Sequence, residues 1–126
     1  MKLDRIVIKA KDYRQSFEFY HDVLGLKLKS SWQRKDSWGA LFHCGEMLLE
    51  IIWFPEGEGN AECAYVPDHS KTELYLNVNN VDALHNQLSS NARLKLGKPE
   101  DKPWGHRIFA VYDPDNVKIV FSQPIE

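Results

Sequence analysis

The sequence predicts an α+β fold built from two βαβββ modules, and three observations predict it. The first is a change of period. Ile6, Ile8 and Ala10 alternate with Arg5, Val7 and Lys9 as in a strand, and Tyr13, Phe17, Tyr20 and Leu24 then recur at helical spacing. The second is that this unit returns: Leu74, Leu76 and Val78 alternate again, and Val81, Leu84 and Leu88 follow at helical spacing, with Asn80 standing 68 residues after Asp12. The third is a pair of short echoes. Leu26-Lys27-Leu28 recurs as Leu94-Lys95-Leu96 at the same offset, and Trp38-Gly39 recurs as Trp104-Gly105 at an offset of 66. Their shared order and near-constant spacing point to an internal duplication.

Taken in order, residues 5–10 form the first strand. Asp12, with Gln15 three residues on, opens the first helix as a capping box, and Gly25 stands where a left-handed C-terminal cap belongs. Residues 26–32 alternate as a second strand, residues 33–37 make a polar turn, and residues 38–44 and 47–54 are two further strands around a Gly45-Glu46 hairpin. Residues 55–70 hold two Gly, two Pro, three Glu and an Asp with no period, as a surface linker does. The second module then supplies a strand over 73–78, a helix over 81–90 capped by Asn80, a strand over 93–97 and a Pro-bracketed loop over 98–103. Strands over 105–112 and 117–123 complete it, joined by the turn Asp113-Pro114-Asp115-Asn116. The expected organisation is one domain over residues 1–126: module one about 1–54, a linker about 55–70, and module two about 71–126.

Composition narrows the function. The chain has 126 residues, 43% of them hydrophobic and 27% charged, enough for one core. A net charge of -2 and the lack of basic residues interleaved with aromatics disfavour nucleic acid. No apolar run approaches the roughly 20 residues of a membrane span, and the N-terminus lacks the apolar core of a signal peptide, so a cytoplasmic protein is expected. Cys44 and Cys63 show neither CxxC spacing nor the density of a disulfide scaffold. The five His do not assemble at metal-ligand spacing; His106, just after Trp104-Gly105, is the one nearest a candidate site.

Alternation also sorts the side chains by face. With Ile6, Ile8, Leu74 and Leu76 under the helices, Arg5, Val7 and Lys9, together with Glu73, Tyr75 and Asn77, face the other way. Glu50 sits inside the apolar run Met47-Leu48-Leu49-Glu50-Ile51-Ile52-Trp53-Phe54, where an acid needs a partner, water or a function. The duplication matches Arg5 with Glu73 and Glu50 with Val120.

The strand ending before Asp12, the Ser16-Phe17 and Phe19-Tyr20 pairs, Leu24-Gly25-Leu26, Pro103-Trp104-Gly105 and the Asp113 to Asn116 turn together resemble the vicinal oxygen chelate superfamily over nearly the whole chain. That superfamily includes glyoxalase I, bleomycin resistance proteins, fosfomycin-inactivating transferases and extradiol dioxygenases. The resemblance implies paired βαβββ modules curled into an open, barrel-like mixed sheet around a cavity, helices on the outer face, commonly in a homodimer. It also implies four metal-ligand positions, which fall at Arg5, Glu50, Glu73 and Val120. Arg offers no lone pair and Val no ligand atom, so Glu50 and Glu73 alone could bind metal. A guanidinium between Glu50 and Glu73 would replace the cation. The reading that follows is a metal-independent, cofactor-free protein that binds a small organic ligand, aromatic or cationic, and sequesters it. Arg5, Glu50 and Glu73 would be polar anchors, and Trp38, Trp53, Tyr75 and Trp104 stacking surface. The alternative is a metal-dependent lyase, epimerase or dioxygenase of glyoxalase type using Glu50 and Glu73.

Overall fold

A computed structural model describes residues 1–55 and 71–125. Most of the expected linker, with Cys63, lies outside the described residues. The chain divides into two compact units, Met1–Pro67 and Asp68–Glu126, and each repeats the same α+β plan.

In the first unit β1 (Arg5–Lys9) leads into α1 (Tyr13–Phe17), followed by β2 (Lys27–Gln33), β3 (Trp38–Cys44) and β4 (Met47–Trp53). The sheet order is β1-β4-β3-β2, with β1 parallel to β4 and the other neighbours antiparallel. Asp12 caps α1 as its side chain predicts, its carboxylate accepting from the Gln15 amide at 3.1 Å. The expected helix over 13–24 is not uniform. After one α-turn it widens into a π-helical stretch, Glu18–Val23, in which the Leu24 amide reaches back to the Phe19 carbonyl at 2.9 Å. The wider turn lets two adjacent rings, Phe19 and Tyr20, both be buried. Tyr20 and Phe17 meet Phe42 at centroid distances of 6.3 and 5.7 Å, over a core that includes Ile8, Leu49 and Ile51. Burying each of these side chains stabilises by about 1.5–3 kcal/mol.

In the second unit β5 (Glu73–Asn77) leads into α2 (Val81–Leu88), then β6 (Glu100–Lys102), β7 (His106–Tyr112) and β8 (Lys118–Pro124). The sheet order β5-β8-β7-β6 repeats that of the first unit, and β5 runs parallel to β8. Asn80 caps α2 through the Ala83 amide at 2.9 Å. Leu74, Val81, Leu88, Phe109, Val111, Ile119 and Phe121 are among its buried residues, with Phe109 and Phe121 5.1 Å apart.

The strand expected over 93–97 is not formed. A single bridge, Leu96 to Val111, remains of it, and the short strand β6 lies instead inside the expected loop. That bridge matches the pairing of Leu28 with Phe42 in the first unit, and the one-residue bulge that follows Leu28 recurs before Glu100. The register therefore confirms the Leu-Lys-Leu echo, while Pro99, which has no amide N–H to donate, stands where the ladder is interrupted. The second echo fails. Trp38 pairs with Trp53, and the residues at those two register positions in the second unit are Arg107 and Gln123. Trp104 belongs to the turn before β7.

Candidate functional site

Two groups of expected site residues are separated by the alternation of β4. Glu50 faces the side opposite the helix, beside Val7 of β1 and Leu41 of β3. Trp53, three residues on, faces the helix side.

On the face opposite α1, the Arg5 guanidinium pairs with Glu50, Nε to Oε1 at 3.5 Å, with 46% of the Arg5 side chain and 9% of the Glu50 side chain exposed. Glu50 is thus a buried carboxylate held by one contact to a half-open cation. On the same face Trp32, which the expectations did not single out, lies over Gly39: a Cβ added at Gly39 would come within 2.2 Å of the indole. The Trp32 Nε1 is buried without a hydrogen-bond partner among the described residues.

In the second unit the matching positions behave differently. Glu73 pairs with Lys118 at 3.3 Å rather than with a guanidinium, and this hydrogen bond, with the charge of Glu73, pushes the Lys118 ammonium pKa upward. Tyr75, opposite Val120, is 56% exposed, and Val120 is 1% exposed. Trp104 is 60% exposed in its turn. His106 sits in β7 with a buried, unpartnered Nδ1.

On the helix side of the first unit, Trp38 and Trp53 meet at 5.1 Å and 58°, and the Tyr13 ring stands edge-on to Trp38 at 5.9 Å and 88°. They line a cleft of about 640 Å³ with the start of α1. The Tyr13 hydroxyl donates to the Gly39 carbonyl at 3.3 Å, and burial raises its pKa. The matching corner of the second unit is polar, a cleft of about 760 Å³ that includes Asn77, Asn79, Asp101, Arg107 and Gln123. Arg107 donates to both Asp82 oxygens at 3.0 Å and to Asp101 at 2.9 Å, which ties β7 to α2 and β6. These bonds push the Arg107 pKa up and hold Asp82 below the ordinary aspartate range. A carboxylate with a depressed folded pKa contributes stability above its unfolded value, about 4, that is lost as the pH falls through the lower folded value. Replacing Arg107 with Ala is therefore expected to lower the thermal midpoint slightly at pH 7. Wild type and variant should converge below pH 3, measured by circular dichroism; a gap that persists in acid would contradict the network.

The glyoxalase/bleomycin resistance protein/dioxygenase superfamily model matches residues 2–121. The chain belongs to this superfamily. The uncharacterized protein YraH of Bacillus subtilis (strain 168) is 32% identical over 121 residues, covering 92% of this chain and 93% of YraH. Among solved structures, SMU.1112c aligns with a TM-score of 0.81 at 20% identity over 97% of this chain and 98% of its own. TnmS3, an antibiotic binding protein from Streptomyces sp. CB03234, aligns with a TM-score of 0.76 at 22% identity over 98% and 96%. These two show the shared fold.

The superfamily's metal does not fit the residues this member carries. Of the four ligand positions, Arg5 is a cation already engaged with Glu50, Val120 has no donor atom, and Glu73 is engaged by Lys118. Among the described residues no group of three or more His, Cys, Asp or Glu gathers as a metal centre requires. Sequence reasoning missed Trp32, Tyr13 and Arg107; the signal for Trp32 was Gly39 in mid-strand, where a missing side chain marks a close approach.

Proposed function

We propose that this superfamily member is a metal-independent protein that binds and sequesters a small organic compound, aromatic or cationic, working as a homodimer in the cytoplasm. The observation that carries it is the Arg5 and Glu50 pair. A buried carboxylate in an apolar strand, held by one 3.5 Å contact, keeps acceptor capacity for a cationic ligand group, and the half-exposed guanidinium keeps donors for an anionic one. Trp32 lies on the same face of the sheet over Gly39, with the Arg34 guanidinium 5.6 Å from its ring centre. TnmS3, which shares this fold, is an antibiotic binding protein.

Three measurements test the proposal. Calorimetric titration of untagged protein with Zn, Ni, Mn and Fe(II) is expected to reveal no micromolar site. A site that Glu50→Gln together with Glu73→Gln removes would reverse the conclusion. A thermal-shift screen of cationic and aromatic compounds is expected to return hits that Glu50→Gln weakens by about tenfold, the value of one charge-assisted hydrogen bond. Light scattering is expected to read the mass of two chains, and a one-chain mass would remove the homodimer from the proposal.

A further inference from the structure

We propose that the corner formed by β3, β4 and the start of α1 is a second ligand site, on the helix side of the first sheet, for a planar aromatic carboxylate. It is separate from the Arg5 and Glu50 face, because Trp38 and Trp53 point to the opposite side of their strands. Three observations support it.

The first is the duplication. Where the first unit has Tyr13, Arg14, Trp38 and Trp53, the second has Val81, Asp82, Arg107 and Gln123. In the second unit these groups satisfy one another: Arg107 closes on Asp82, and the Gln123 side-chain oxygen accepts from the Val81 amide. The corner is sealed by its own hydrogen bonds. In the first unit rings replace both strand partners, so the fold does not require aromatics there, and the helix residue matching Asp82 is a cation, Arg14.

The second is shape. Two half-buried indoles at 58° and an edge-on phenol line a cleft of about 640 Å³, within the size range of small-molecule pockets. Rings left partly open to water gain by covering their faces with another ring.

The third is charge. The charged groups lining the cleft are Lys11, Asp12, Arg14 and Glu18, of which Asp12 is committed to the Gln15 amide as the helix cap. Arg14 is exposed and forms no ion pair among the described residues. A guanidinium beside indoles matches a flat ring carrying a carboxylate, which can stack and accept two parallel N–H donors together.

The test is titration of the whole protein with 2-naphthoate and with 2-naphthamide, its neutral counterpart, followed by indole N–H resonances and tryptophan fluorescence. Naphthoate is expected to shift the Trp38 and Trp53 signals and to bind about tenfold more tightly than the amide. Arg14→Glu, an exposed change that leaves the core intact, is expected to erase that difference, and Trp38→Leu to abolish binding. Glu50→Gln, whatever it does at the Arg5 and Glu50 face, is expected to leave the naphthoate-induced Trp38 and Trp53 shifts in place, which separates this site from the one proposed above. Equal affinity for acid and amide, no response to millimolar naphthoate, or loss of binding in Glu50→Gln would each overturn the proposal. If Trp38→Leu fails to fold, the Arg14→Glu comparison alone still decides.

Discussion

Replacing Asp113 with Ala is expected to lower the unfolding free energy by about 3 kcal/mol, on the scale of two charge-assisted hydrogen bonds lost inside the protein. Asp113 is 5% exposed, and its Oδ1 accepts from the backbone amides of Asp115 and Val117, both at 2.8 Å. The carboxylate thereby organises the whole turn between β7 and β8. Asn116 completes the turn in the left-handed region at φ 67°, and its amide bonds back to the Asp113 carbonyl at 2.9 Å. Alanine would leave two amides without their acceptor. Asn at the same position keeps one oxygen in place and is expected to cost about 1 kcal/mol. Urea unfolding followed by tryptophan fluorescence measures both. A loss below about 1 kcal/mol for the Ala variant would mean that water replaces the carboxylate.

Gly39→Ala is expected to cost about 1–3 kcal/mol, the usual penalty of overpacking. The new methyl would stand 2.2 Å from one indole carbon of Trp32 and 2.6 Å from another, and a rigid bicyclic ring cannot fold out of the way as a flexible chain end does. Either the indole leaves the sheet or β2 and β3 separate at this pair. Emission reports which: an indole moved into water shifts to the red. Gly97→Ala is the control, because its Cβ would meet the Ala110 amide nitrogen only at 3.6 Å, an ordinary contact. Unchanged stability and emission in Gly39→Ala would show that Trp32 does not rest there in solution.

Much of this architecture could be read from residue order. The alternation of Ile6, Ile8 and Ala10 against Arg5, Val7 and Lys9, and the caps at Asp12 and Asn80, are local signals, and the structure repeats them. The pairing of Arg5 with Glu50 also followed from faces, since both strands had to turn their charged positions away from the helix. Where reading failed, the cause was in part nonlocal. The π-helical turn after Phe17 comes from fitting both Phe19 and Tyr20 into one core, which no helical period announces. The stretch expected as a strand over 93–97 opens in a turn instead, the Arg93 amide donating to the Asn91 side-chain oxygen and the Leu94 amide to the Asn91 carbonyl, before the Leu96 to Val111 bridge. Trp53 and Glu50, named together as site residues, fall on opposite faces of β4. Residues three apart in a strand face opposite ways, so the separation was legible, but aromatic content outweighed parity in the expectation. Lys118, the cation that Glu73 meets within the second unit, was not foreseen, because it is 45 positions away and becomes adjacent only through the parallel pairing of β5 with β8.

The matched registers also hold a record of descent. Trp32 and Glu100 are 68 residues apart, Trp38 and Arg107 69, and Trp53 and Gln123 70. Each step is a difference of one residue, and each falls in a hairpin: the first between β2 and β3 or their counterparts, the second where Gly45-Glu46 stands against Pro114-Asp115-Asn116. The two units thus differ in length at these tips and keep step within the paired ladders. The same tips are where a peptide epitope or a reporter could be grafted into this protein with the sheets left in register.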